Sequence, residues 1–104
     1  VEVGVEAQAN AVLSFASEHK RVKRPQDPWE LEVFARRTGG HSGEVSCRYH
    51  TERFSAVPGY DYAETSGELV FPEGCSKQSL KIEILPKRKD RITREFFVVM
   101  DEAV

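Results

Sequence analysis

An all-β fold, an antiparallel β-sandwich of immunoglobulin-like architecture, is what this sequence predicts, and three observations predict it. Apolar and polar residues alternate with a period of two through most of the chain, turn-forming residues fall between the alternating stretches, and no stretch carries the period of a long helix. The 104 residues suit one domain, which hides roughly 60 to 70% of the surface its unfolded chain would expose. With 39% hydrophobic and 31% charged residues, the composition is that of a globular domain and not of a disordered segment. No apolar run approaches the ~20 residues of a membrane span. No signal peptide is evident either, and the start at Val1 without a Met is expected of a piece excised from a larger protein.

The elements follow in order. Val12 to Phe15 is a short first strand. In the second, Trp29, Leu31, Val33 and Ala35 alternate with Glu30, Glu32, Phe34 and Arg36, so Trp29 is expected as a core anchor; Arg37-Thr38-Gly39-Gly40 then signals a turn. The third runs from about Glu44 to Thr51, with Val45, Cys47 and Tyr49 on one face and Ser46, Arg48 and His50 on the other. Gly67 to Phe71 is the fourth, closed by Pro72-Glu73-Gly74. Ser79 to Leu85 is the fifth, with Leu80, Ile82 and Ile84 inward. The sixth, Glu95 to Met100, is apolar on both faces, as a central strand would be. A seven-stranded sandwich needs one strand more. Either six suffice, or residues 1 to 6, a downstream segment or another copy of the chain fills the open edge.

The spacing of these pieces resembles the Calx-β domain family. Gly59-Tyr60-Asp61-Tyr62, Ser66-Gly67-Glu68-Leu69-Val70-Phe71, Pro72-Glu73-Gly74 and the Leu80/Ile82/Ile84 strand match a core that reads Gly-x-Asp-Tyr, Gly-x-Leu-x-Phe, a glycine turn and an alternating strand. Residues 29 to 40, Tyr49-x-Thr51 and Glu95 to Met100 extend the resemblance over about residues 11 to 101. The Arg-Thr-Gly-Gly turn and the Phe-Phe pair look most like the second regulatory domain in the cytoplasmic loop of sodium/calcium exchangers. The resemblance implies residues 11 to 104 as a single sandwich domain, with residues 1 to 10 as a linker or the end of a preceding repeat.

It also implies where calcium would sit. Calcium takes six to eight oxygen ligands, so several carboxylates must converge. In calcium-binding members these come from one pole: an acid at the start of the second strand, the aspartate of Gly-x-Asp-Tyr, an acidic run after the fifth strand and acids after the last. Here the aspartate is present as Asp61, and the acids after the last strand would lie beyond Val104. The second-strand acid falls near Lys23-Arg24 and the acidic run on Pro86-Lys87-Arg88, while Asp90, Asp27 and Glu18 are the nearby carboxylates that remain. Cations a few ångströms apart repel by about 1 kcal/mol in water and about 4 kcal/mol near a protein surface, and a divalent ion doubles that. Asp61 is therefore expected either to bond the backbone of its own turn or to pair with Lys87 or Arg88, which take the ion's place. No cofactor is expected, with weak calcium binding as the alternative.

Net charge is −2, yet Arg21, Lys23 and Arg24 from one loop and Lys87, Arg88 and Lys89 from another are expected to converge on this pole as an interaction surface. Its expected partners are a neighbouring domain of the same protein, an acidic protein surface or anionic lipid head groups. Nucleic acid is not expected, because the aromatics belong to the core periodicity. A strand-exchanged dimer across the open edge is a further alternative. His19, His41 and His50 are read as surface histidines without carboxylate or cysteine neighbours at ligand or triad spacing. No catalytic residue is identified and the chain is not expected to be an enzyme. Cys47 and Cys75 are read as free thiols.

The expectation is thus a regulatory or interaction module on the cytoplasmic side of a membrane protein of the exchanger type, with a degenerate calcium site. The alternative is a structural repeat of an adhesion or cell-surface protein.

Overall fold

The computed structural model describes residues 4–6, 11–23, 25–86, 90 and 92–103. Seven strands carry the fold: β1 Gly4–Glu6, β2 Val12–Phe15, β3 Trp29–Thr38, β4 Val45–Arg53, β5 Ser66–Phe71, β6 Lys77–Ile84 and β7 Phe96–Ala103. No described residue is helical. Two antiparallel sheets form, one ordered β1-β2-β3-β6 and the other β5-β4-β7, and their inner faces make the core of a β-sandwich.

The period of two explains which residues enter that core. On β6, Leu80, Ile82 and Ile84 are buried while Lys81 and Glu83 are exposed. Across the ladder Leu31 faces Ile82 and Val33 faces Leu80, so each apolar residue meets another on the same face. From the second sheet Val45, Cys47, Leu69 and Phe71 close the core. Cys47 and Cys75 are free thiols, and burial, followed by Asp101 and Glu68, pushes the Cys47 thiol up to about 11. Tyr49 pairs with Gly67 across β4 and β5. A Cβ on Gly67 would lie 2.8 Å from the Tyr49 hydroxyl oxygen, so the tyrosine occupies the side that glycine leaves empty.

Two expectations from the sequence are corrected and one open alternative is settled. Trp29 is 46% exposed: it is the first residue of β3, beyond the buried run of the inner face, so the strand's alternation overstates its depth. The last strand is not central: β7 bonds only β4 among the described residues and forms an edge of the three-stranded sheet. On its outer face Val99 is only partly buried and Phe97 is exposed beside Phe54, ring centroids 5.4 Å apart. Among the alternatives for the seventh strand, the segment within residues 1 to 6 is the one found. Gly4–Glu6 pairs with Val12–Ser14 at the edge of the four-stranded sheet, and its backbone also runs close to β7.

Candidate functional site

Antiparallel pairing brings three connections to one pole: residues 16–28, 54–65 and 85–95. Trp29 lies opposite Ile84, and Arg53 opposite Phe96. Between the connections is a cleft of about 640 Å³ lined by Arg21, Val22, Lys23, Ala56, Asp61, Ile84, Asp90, Ile92, Thr93, Arg94 and Phe96. Its floor is apolar because Phe96, turned inward at the start of β7, stacks on Tyr62 with centroids 4.0 Å apart, and Tyr62 is fully buried.

Asp61 owes its position to the turn around it. Gly59 takes φ 81°, a left-handed conformation open to glycine, and its N–H donates to the Tyr62 carbonyl at 2.7 Å. The chain reverses, and the Asp61 Oδ2 accepts the Val57 N–H at 2.7 Å. The Asp61 N–H donates to the Val57 carbonyl at 2.8 Å, while its carbonyl accepts the Leu85 N–H at 2.9 Å, fastening the turn to the end of β6. The residue is 5% exposed. A buried carboxylate needs donors to offset its lost hydration, and a backbone amide supplies one here.

Asp90 is the second carboxylate of the cleft. Its Oδ1 accepts the Ile92 N–H at 3.0 Å and its Oδ2 the Arg94 guanidinium at 2.8 Å. Of the expected basic residues, Arg21 and Lys23 do line the cleft with Asp61. Arg24, Lys87, Arg88 and Lys89 lie outside the described residues. Lys20 instead sends its ammonium to the Glu32 carbonyl at 3.1 Å, and Asp27 and Glu18 are exposed away from the cleft lining. Arg94 was not anticipated; its signal was the four-residue spacing from Asp90.

Tested as a calcium site, the described residues do not fit. Two carboxylates stand where six to eight oxygens are required, both accept hydrogen bonds from the chain itself, and three cationic side chains share the wall. Among the described residues no group of three or more His, Cys, Asp or Glu is placed to hold a metal ion.

At the opposite pole Arg37 is 1% exposed. Its Nε donates to the Gly40 carbonyl at 2.6 Å, Nη1 to Gly43 at 2.8 Å and Nη2 to Ser42 at 2.8 Å, so the turn folds around a guanidinium. On the outer face of the second sheet, the reading of His50 as a histidine without carboxylate neighbours is corrected. Nδ1 lies 2.9 Å from Asp101 Oδ1, and Nε2 lies 3.0 Å from Glu52 Oε1. Glu52 was legible as the same-face neighbour two positions along β4; Asp101 comes from β7.

Comparison with known proteins agrees with this architecture. A family model described as Calx-beta domain matches residues 6–104. The crystal structure of the apo-form Calx CBD1 domain superposes with a TM-score of 0.61 at 29% identity, covering 72% of this chain and 66% of that one. That of the calcium binding domain CBD12 of CALX1.1 gives 0.61 at 30% identity over 71% of this chain and 31% of that one. The Calx CBD2 domain reaches 0.72 over 88% of this chain and 55% of that one, at 24% identity, a likeness of fold. The chain therefore spans less than two thirds of the length of each of these proteins.

Proposed function

The chain belongs to the Calx-beta domain family, and from that premise we propose that it is a non-enzymatic regulatory or interaction module of a larger membrane-associated protein of the sodium/calcium-exchanger type, held on its cytoplasmic side. Its working surface is the pole where relatives take calcium. Here that pole is fastened by the chain's own groups and joins the domain to an acidic surface, such as that of a neighbouring domain, independently of calcium.

The observation that carries this reading is the state of the two carboxylates. Asp61 accepts a backbone N–H and is buried, Asp90 accepts the Arg94 guanidinium, and Arg21 and Lys23 stand at the same cleft. An entering calcium ion would have to displace these donors and sit beside three positive charges, each repelling it. The basic sequence Lys87-Arg88-Lys89 continues the same sign in the connection that leads to Asp90.

A second reading, a weak calcium-binding regulatory domain, draws on the solved relative named a calcium binding domain and on the presence of Asp61 and Asp90 in one cleft. Calorimetric titration with calcium separates the two. The calcium-independent reading expects no saturable heat in the micromolar range; a micromolar heat abolished by Asp61→Asn overturns it.

A further inference from the structure

We infer that His50, Glu52 and Asp101 form a proton-switched staple that fastens the end of β7 to β4. This device lies on the outer face of the second sheet and is independent of whether the pole binds calcium.

Its geometry requires a charged ring. Nδ1 lies 2.9 and 3.0 Å from the two carboxylate oxygens of Asp101, and Nε2 lies 3.0 Å from Glu52 Oε1. A carboxylate only accepts, and a neutral imidazole has a single N–H. The neutral ring would therefore donate to one carboxylate and turn a lone pair toward the other. Only the imidazolium satisfies both at once.

The staple sits where the backbone ladder is interrupted. Tyr49 pairs with Met100, but the next registered pair is Cys47 with Ala103, so β7 carries an extra residue between them. Asp101 falls within that bulge, where regular cross-strand bonds lapse, and its side chain makes the cross-strand link to β4 instead. Among the described residues β7 is bonded only to β4, with β1 running close beside it, so the link from Asp101 to β4 bears on how firmly its end is held.

The charged groups around the ring come from three strands. From β4, Glu52 bonds it and Arg48 lies two positions away; from β5, Ser66 lies opposite His50 and Glu68 opposite Arg48; from β7, Val99 lies opposite and Asp101 bonds it. Arg48, His50, Ser66, Glu68 and Asp101 line one shallow groove of about 470 Å³. Arg48 and Glu68 carry opposite charges in this groove, and the ring itself is bonded by the carboxylates of Glu52 and Asp101. In agreement, the hydrogen bond to Glu52, then that to Asp101, raise the His50 pKa above its ordinary 6.5, with burial pulling the other way.

The sign follows from linkage. A histidine whose pKa is raised on folding stabilises the fold fully below its unfolded value of 6.5, and that stabilisation is lost as the pH rises through the folded value. Acidification should tighten β7 and alkalinisation should free its end.

The test is amide exchange on the whole chain, corrected for intrinsic rates, together with an NMR titration of the His50 ring. Protection of the Asp101 region is expected to fall at least about threefold between about pH 6 and about pH 8.5, with His50 titrating above 6.5. In His50→Gln the pH dependence of this region should vanish. If that variant does not fold, Asp101→Asn provides the reading, because His50 should then titrate closer to its ordinary value. A wild-type His50 that titrates at or below 6.5, or a β7 whose pH dependence persists in the variant that is read, overturns the staple.

Discussion

Among the described residues each pole of the sandwich takes one charged side chain inside, and the two charges are opposite. At one end Arg37 is enclosed and donates to three backbone carbonyls of the turn that follows it. At the other end Asp61 is enclosed and accepts a backbone N–H of the turn that precedes it. Peptide groups supply compensating dipoles at both ends: three carbonyls for the guanidinium and the Val57 N–H for the carboxylate. The difference is in reach. The guanidinium presents five donors in a fixed fork and organises a single loop, whereas the Asp61 turn is also tied through its backbone to the end of β6. A cation among carbonyls shapes a local turn, and an anion in a tied turn helps hold two connections in place.

The largest effect is expected where the most bonds are lost. Arg37→Met should remove three charge-assisted bonds and lower the unfolding free energy by about 3 kcal/mol, read as a shifted urea midpoint. A loss below about 1 kcal/mol would show that water replaces the guanidinium at little cost and would break the comparison. Asp61→Ala should cost about 2 kcal/mol, because it leaves the Val57 N–H without its acceptor, and Asp61→Asn about half as much, because the amide oxygen can still accept. Equal losses in the two variants would mean that charge, and not the hydrogen bond, holds this turn.

The smallest effect is expected for Asp90→Asn. The Asp90–Arg94 pair is partly exposed, so its loss should cost less than about 1 kcal/mol and should shrink in molar salt. The Arg37 loss should change little with salt, since its guanidinium donates to neutral peptide carbonyls. Measuring Arg37→Met and Asp90→Asn at two ionic strengths therefore separates a charge held by backbone from charges held by one another.

Much of the candidate site was legible in the sequence. Gly59-Tyr60-Asp61-Tyr62 marked both the fold and the aspartate, and the opposite sign of Arg21 and Lys23 was visible before their common cleft was known. Arg94 and the apolar floor at Phe96 were not, because the alternating pattern near Phe96 says only that one face turns inward, not which loop covers it.

What the sequence determined by itself was local. The period of two placed β2 through β6 within a few residues of their ends and marked the start of β7, and glycine and proline marked the turns between them. Both signals arise from neighbours along the chain: side chains alternate across a strand, and special φ values need special residues. The tertiary structure alone decided that β7 is an edge, that Trp29 is left in solvent at a strand end, that Arg37 turns inward toward carbonyls, and that His50 meets Asp101 from 51 residues away. Which strand lies next to which is a long-range choice, settled by burying both sheets' apolar faces together, and no periodicity along one strand records its partner.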